Sequence, residues 1–433
     1  MFPKDSKPGF SKLSREEKIQ WLSLRDDSKK ILNDALNQNP TIAAIINQLS
    51  ENTISHFPFP FGIAPNVLIN GKSYHLPLVT EESSVVAAIA KAAKFWFAFG
   101  GFQTQVLGTE KKGHIHFFWK GNKELLHQKF EPLKDFILLR VNSLTKEMRK
   151  RGGGITSIQL LDKTHLLTNY FQLDASFETS DAMGANFINS CLEEMSKALK
   201  QFFSCDLELD AELLEVNMAI LSNYTPGCRV LAKVMCAVDA INAYGESLET
   251  PLLAEKLVQA LQIAQVSTER AVTHNKGIFN GIDALALATG NDWRAIEACG
   301  HAYASRSGTY ASLTKASIVE QTFILELEIP LSVGTVGGIT NLHPLAKIAL
   351  EILQKPTAPE LMQLMAVSGL AANFSALLAL TTSGIQKGHM KMHLSNILLQ
   401  LNATEEQSKL ALTFFKDKTV SFTEVEKFLS SNS

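Results

Sequence analysis

The chain has 433 residues, 45% of them hydrophobic and 19% charged, which is enough for more than one buried core and for two or three domains. Its 41 basic and 43 acidic side chains leave a formal net charge of -2 and no broad positive field, which excludes nucleic acid as an expected main partner. The cysteines Cys191, Cys205, Cys228, Cys236 and Cys299 are odd in number and form no C-x-x-C pair, so neither a disulfide framework nor a zinc site is indicated, and a reducing cytoplasm is expected.

The opening Met1-Phe2-Pro3-Lys4-Asp5 carries charge and proline where a secretory signal needs an apolar run. The first fifty residues then read as amphipathic helix, with Leu13, Ile19, Leu22, Leu24, Ile31, Leu32 and Leu36 near helical spacing. Between Phe57 and Leu78 prolines and turns take over, and Asn70-Gly71 joins two short apolar runs as a hairpin would. Ser83-Ser84 precede an alanine-rich helix from Val85, which a serine hydroxyl is expected to cap, and Glu81 and Glu82 fall at its positive end.

From about Gly108 to Phe177 strand-like runs dominate, and a helix is expected to open at Asp181 with that carboxylate as its cap. Beyond Asn223 the chain reads as largely helical to Pro330, then meets Gly334 to Gly338 and turns helical again. Leu364 to Ile385 lacks charge over a length that could cross a bilayer, but Ser368, Gly369, Asn373 and Ser375 dilute it, so a buried core helix and no membrane span are expected. The order of elements predicts an α+β fold. A large, mostly helical domain over 1–107 and 223–383 is interrupted by a smaller α+β domain over 108–222, and a helical C-terminal flap covers 384–433.

The densest cluster of chemistry-bearing residues is Thr273-His274-Asn275-Lys276-Gly277-Ile278-Phe279-Asn280-Gly281-Ile282-Asp283. A lysine hemmed in by glycine and amide residues is expected to be poorly solvated and a strong partner for an oxyanion; the plainer reading is a surface lysine at a turn. Asp292 and Glu82 read either as helix-cap carboxylates or, if held beside Lys276, as proton-exchanging partners. In Asp181-Ala182-Met183-Gly184-Ala185-Asn186 the glycine permits close approach of a backbone or a phosphate. Gly334 to Gly338 and Arg151 to Gly154 could line a nucleotide, but no G-x-G-x-x-G fingerprint is present, which disfavours a Rossmann domain. His389 follows Gly388, and an imidazolium there could protonate a leaving thiolate. The pairs His114/His116 and His389/His393 have metal-compatible spacing without a third ligand, so no metal is expected.

Taken together and in order, these segments resemble the class II 3-hydroxy-3-methylglutaryl-coenzyme A reductases over nearly the whole chain. The resemblance rests on Phe59-Pro60-Phe61-Gly62-Ile63-Ala64 with Glu81 to Ala88, Asp181 to Asn186, Ile220 to Asn223, Thr273 to Asp283, Gly290 to Ala295, Gly334 to Gly338 and Gly384 to Met390. It implies a homodimer, or a higher oligomer of dimers, with active sites at the subunit interface and a flap that closes over them. It also implies reduction of hydroxymethylglutaryl-coenzyme A to mevalonate by two hydride transfers from NADH or NADPH, with coenzyme A released between them. By the same resemblance Lys276 stabilises the oxyanion, Glu82 donates the proton, Asp292 tunes both and His389 protonates the thiolate. Ser84, Asn223, Arg270 and Asn280 would hold substrate, and Asp181, Met183, Gly184 and Asn186 the cofactor. Relatives often carry an arginine-aspartate pair where this chain has Thr156-Ser157, so that loop departs from the pattern.

Two other classes compete. An acyl-coenzyme A thioesterase or transferase would need Cys299 or Ser84 as nucleophile, and neither sits in a nucleophile elbow. A non-catalytic coenzyme A-binding protein would use the lysine and carboxylates only for packing.

Overall fold

The computed structural model describes residues 13–14, 16–17, 20, 26, 40–382, 384, 394–415, 418 and 420–431. Most of the N-terminal helix expected from the sequence, and His389 with the glycine-rich turn around it, lie outside these residues.

A short helix α1 (Pro40–Ile46) leads into a hairpin of β1 (Phe61–Ile69) and β2 (Lys72–Val79). The turn is Asn70-Gly71, with φ of 48° and 80°, the left-handed pair that a two-residue hairpin turn demands. Helix α2 (Val85–Phe97) follows, and then β3 (Gln103–Val106) and β4 (Lys111–Trp119). Here the structure departs from the expected run of strands: α3 (Lys123–Gln128) and α4 (Phe130–Lys150) come before β5 (Gly154–Asp162) and β6 (Tyr170–Glu178). In α4 the buried residues Leu133, Ile137, Val141, Thr145 and Met148 recur at helical spacing. Helix α5 (Ala185–Cys205) and β7 (Leu214–Ser222) close this part of the chain.

The next stretch corrects a second expectation, because it is not all helix. Strand β8 (Arg229–Ala237) precedes α6 (Val238–Glu246), α7 (Leu253–Val266), α8 (Thr268–Ala288) and α9 (Trp293–Ala304), and β9 (Thr314–Val319) pairs with β10 (Thr322–Pro330). Strands β8 and β10 alternate buried and half-buried residues along their length, the period-2 pattern of a one-sided strand. Helices α10 (Gly338–Leu342), α11 (Pro344–Ile352), α12 (Ala358–Thr381), α13 (Glu405–Phe414) and α14 (Phe422–Ser431) follow.

Three cores result. The first joins the hairpin, α2, β8, β10 and helices α7 to α9 around α12, which is buried on every side; the run from Val85 to Phe102 and the run from Cys228 to Leu378 both feed it. The second lies between, built from Ile115 to Leu209 on an antiparallel sheet of order β5-β6-β4-β7 with α4 and α5 packed on one face. The third holds Leu394, Ile397, Leu398, Ala411, Phe415 and Val425. Among the described residues α12 is the helix long and apolar enough to cross a membrane, and 78% of its apolar window is buried inside the protein, as for the core helix expected.

Candidate active site

Helix α8 supplies the floor of the main cleft. Arg270, Thr273, Gly277 and Asn280 recur every three or four residues, so they share one face with Lys276. Opposite them stand Glu82 and Ser84 at the entrance of α2, and the wall is the second half of α12 from Ala372 to Leu380. The cleft encloses about 420 Å³ and gathers Glu82, Ser84, Arg270, Lys276 and Asn280, residues scattered over almost 200 positions of sequence.

The Lys276 Nζ donates to Glu82 Oε2 in a close ion pair. The expected desolvation of this lysine is corrected, and the plainer reading of a surface lysine holds for its exposure but not for its place at a turn. It lies in mid-helix rather than at a turn, and its side chain is 59% exposed instead of desolvated, since α8 presents it at the open mouth of the cleft. Arg270 is half-buried, burial holds its guanidinium below the usual arginine range, and among the described residues it pairs with no carboxylate. A planar cation in a cleft with no carboxylate paired to it among the described residues suits a ligand carboxylate.

Ser84 precedes α2 but does not cap it, contrary to expectation. Its φ of 76° is left-handed, no helix N–H reaches its side chain, and among the described residues the buried Oγ has no hydrogen-bond partner. Ser84 lines the cleft, and such strained polar residues gather where a ligand binds.

Behind α8 lies a polar layer that the sequence did not announce. His274 and Asn275 are fully buried. The His274 ring meets Thr314 Oγ1, Asn373 donates to the His274 carbonyl at 3.2 Å, and Asn275 bonds Ala311 O and Leu313 N at 3.0 Å each. Burial, with Arg270 nearby, lowers the His274 pKa to about 3, so the ring is neutral. Further along α8, burial and the Glu297 carboxyl push Asp283 up to about 8, with Glu81 adding to the effect.

A second, much smaller cleft, of about 10 Å³, forms where the small sheet meets the main core. It is lined by Lys111, Met183, Ala185, Asn223, Thr225 and Ala295, so the candidate substrate residue Asn223 stands beside the candidate cofactor residues and apart from Lys276 within one chain. Asp181 is the other corrected cap. Helix α5 begins at Gly184 with no side-chain cap, and the Asp181 carboxylate instead accepts the Ala358 N–H at 2.7 Å, in the first turn of α12. Gly184 has a φ of 94°, and a Cβ there would meet Thr179 Cγ2 at 2.5 Å. The Gly334 to Gly338 loop is fastened to the same turn, with Thr335 N–H donating to Asp181 O at 2.8 Å. A Cβ on Gly334 would lie 2.3 Å from Met183 N. The glycines thus let Thr179 and the Met183 backbone pack closely ahead of a helix of 21 residues whose uncapped entrance suits an anion.

Asp292 caps α9, accepting from Ala295 N–H at 3.2 Å, and meets Arg294 at 3.4 Å; among the described residues it makes no ion pair with Lys276 inside one chain. Asn186 is exposed in the first turn of α5. The paired histidines of β4 are engaged by Asp174 and Tyr170. Cys299 is buried, bonded by Thr225, and burial raises its thiol, the opposite of what a nucleophile needs.

Residues 14–394 match the family model described as hydroxymethylglutaryl-coenzyme A reductase. A 3-hydroxy-3-methylglutaryl-coenzyme A reductase of Archaeoglobus fulgidus is 36% identical over 408 residues, covering 92% of this chain and 88% of that protein. A probable enzyme of the same name from Borreliella burgdorferi is 37% identical, covering 80% and 77%. A solved 3-hydroxy-3-methylglutaryl-coenzyme A reductase from Streptococcus pneumoniae superposes with a TM-score of 0.72 at 34% identity, over 99% of this chain and all of that one. A class II streptococcal structure bound to NADPH in open conformations superposes equally well at 35% identity, over 87% of this chain and all of that one.

Proposed function

Because the chain belongs to the hydroxymethylglutaryl-coenzyme A reductase family, we infer that it reduces hydroxymethylglutaryl-coenzyme A to mevalonate, or runs the reverse oxidation, releasing or taking up coenzyme A between two hydride transfers. The observation that carries this onto the chain's own atoms is the Lys276–Glu82 contact at the mouth of the cleft.

We assign the roles as follows. Lys276 presents an ammonium to the carbonyl oxygen, where charge develops on hydride addition, and a fixed donor there is worth about 3–4 kcal/mol of barrier. Glu82, already bonded to that ammonium, holds the proton the alkoxide receives. Arg270 engages the substrate carboxylate, and the Ser84 hydroxyl and Asn280 amide orient the rest. His389 protonates the thiolate.

A nicotinamide dinucleotide, NADH or NADPH, supplies the hydride when bound. The run Asp181 to Asn186 fits its phosphates as the entrance of α5, where no side chain caps the first N–H groups and no acidic residue stands in the first turn. The streptococcal relative's complex with NADPH supports the same donor class. Free cysteines throughout support a cytoplasmic enzyme.

We further propose a homodimer with shared sites. The Lys276 cleft and the Asn223 cleft are two half-sites of one chain, and Asp292 belongs with the second, since Ala295 one turn on lines it. A second copy that docks its Asp292 against Lys276 completes the triad. An apolar groove lined by Ile42, Leu49, Phe57, Phe59, Ile339 and Leu345 is available for that docking, with Phe57 85% exposed.

The test is spectrophotometric: consumption of NADH and of NADPH with the hydroxymethylglutaryl thioester, and their formation from mevalonate, coenzyme A and the oxidised forms. Turnover with at least one cofactor is expected. Lys276→Ala should lose about a hundred- to a thousandfold in kcat while staying folded. Near-normal turnover in that variant overturns the assignment.

A further inference from the structure

On α2, Ser84, Ala87, Ala88 and Lys91 recur at helical spacing, so the helix lays them in that order along one wall of the main cleft. From Ser84 to Lys91 the wall is about 10 Å long at the ordinary rise of a helix. Between its two polar ends the cleft is apolar, with Ala87 and Ala88 on one side and Ala376, Ala379 and Leu380 of α12 on the other.

The charges of this cleft do not balance. Among the described residues that line it, Lys91, Arg270 and Lys276 are cationic, His274 is neutral and Glu82 is the anion. Glu82 is taken by Lys276. Arg270 and Lys91 are left over, and no carboxylate among the described residues pairs with either. An exposed lysine is by itself an ordinary surface charge. Its place at the end of an apolar corridor sets this one apart. A hydroxymethylglutaryl thioester presents a carboxylate at its reacting end, for which Arg270 suffices, then a long uncharged pantetheine arm, and then the phosphates of coenzyme A. The cleft offers partners in the same order: a cation by the reacting groups, an apolar stretch, and a second cation.

We infer that Lys91 is a substrate-binding residue whose ammonium meets the phosphates of the coenzyme A portion, with the pantetheine arm lying along the apolar stretch between α2 and α12. The inference rests on the reductase reading and adds to it how the unreacting part of the substrate is held. A contact so far from the reacting carbon is made equally in the ground state and the transition state. It therefore lowers KM and leaves the saturated rate to Lys276 and Glu82.

The experiment uses the full chain. Calorimetry gives Kd for coenzyme A at low and moderate salt, and kinetics give KM for the hydroxymethylglutaryl thioesters of coenzyme A and of pantetheine, which carries no phosphate. The unaltered protein is compared with Lys91→Met, with Lys91→Arg, and with Lys94→Met, which removes the same charge from α2 outside the cleft. In Lys91→Met the Kd for coenzyme A and the KM for its thioester are expected to rise about three- to tenfold, with a weaker salt dependence and no change in KM for the pantetheine thioester. Lys91→Arg is expected to keep most of the affinity and Lys94→Met all of it. An unchanged Kd in Lys91→Met overturns the inference. An equal rise with the pantetheine thioester overturns it as well, since that marks a packing role, and so does an equal rise in Lys94→Met, which marks the general field of the helix. If the unaltered protein turns over neither thioester, the reductase reading falls; if it turns over both with the same KM, that reading stands and the phosphate contact alone is refuted.

Discussion

Ser84 holds a left-handed conformation that costs an L-residue about 1–2 kcal/mol, and its hydroxyl bonds nothing among the described residues. Strain and an idle polar atom at one residue are both accounted for if the hydroxyl serves a ligand. Ser84→Gly relieves the strain and deletes the hydroxyl, so the melting temperature is expected to rise while KM for the thioester rises several-fold; a rise in stability with KM unaltered would leave the hydroxyl without a role. The buried groups of α8 make predictions about pH. Asp283 titrates near 8 in the fold against an ordinary 3.8, so its contribution to stability is fully present below pH 4 and is lost as pH climbs through 8. His274 has the opposite sign: at about 3 against 6.5, its contribution is present above pH 6.5 and is lost as pH falls toward 3. Stability is thus eroded from both sides. Denaturant midpoints measured across pH 4–9 should decline less steeply on the alkaline side in Asp283→Asn, and an identical slope would refute the raised carboxyl.

At the level of elements, α8 is defined by two faces of different chemistry. One carries Arg270, Lys276 and Asn280 into the cleft; the other sets Ile278, Gly281, Ile282 and Leu285 against α12. The two helices touch at Gly281, where an added Cβ would lie 2.3 Å from the Ser368 carbonyl oxygen, itself part of a backbone that cannot step aside. Helix propensity favours Gly281→Ala by about 1 kcal/mol, whereas overpacking opposes it by about 1–3 kcal/mol. The clash wins. The variant is expected to melt lower and, by pushing α8 away from α12, to lower kcat through Lys276; an unchanged melting temperature would show that the helices can separate freely.

The same pair shows how far sequence reaches. Ser368, Asn373 and Ser375, read as polar residues diluting a membrane-like run, are clips that bond Gly281 O, His274 O and Ala88 O, tying α12 to both helices that carry the cleft. The hairpin at Asn70-Gly71 was legible because its turn chemistry is local. Helix α4 and strands β8 and β10 were not read, although Leu133, Ile137 and Val141 keep helical spacing and Val230, Ala232 and Val234 alternate. Short apolar runs fit several periods, and only pairing partners about a hundred residues away decide between them, as β10 does for β8. The caps at Ser84 and Asp181 differ from expectation for a related reason: the residue type marks a helix entrance, but a left-handed backbone takes the Ser84 hydroxyl off the helix N–H groups and tertiary packing gives the Asp181 carboxylate to α12. Lys111, by contrast, was readable. Strict alternation in Lys111 to Trp119 already places it indoors.

For the whole molecule, the separation of the two clefts within one chain is the fact that most constrains assembly. Lys276 and Glu82 meet in one, while Asp292 lies with the other, capping α9 and bonding Arg294. If a C2 dimer joins the first half-site of one copy to the second of its partner, two inactive variants complement each other. Lys276→Ala and Asp292→Asn, each dead alone, would form mixed dimers holding one doubly altered site and one intact site. Random pairing makes half the dimers mixed, so an equal mixture, unfolded and refolded together or coexpressed, is expected to recover about a quarter of the unaltered activity. Were Asp292 to act within its own chain, each protomer of a mixed dimer would carry a broken site and the mixture would stay inactive. Sedimentation of the mixture would separate that outcome from a failure to pair, because the intra-chain arrangement predicts dimers without turnover, and the shared arrangement predicts that turnover appears only in the dimer fraction and vanishes when the groove around Phe57 and Phe59 is made charged.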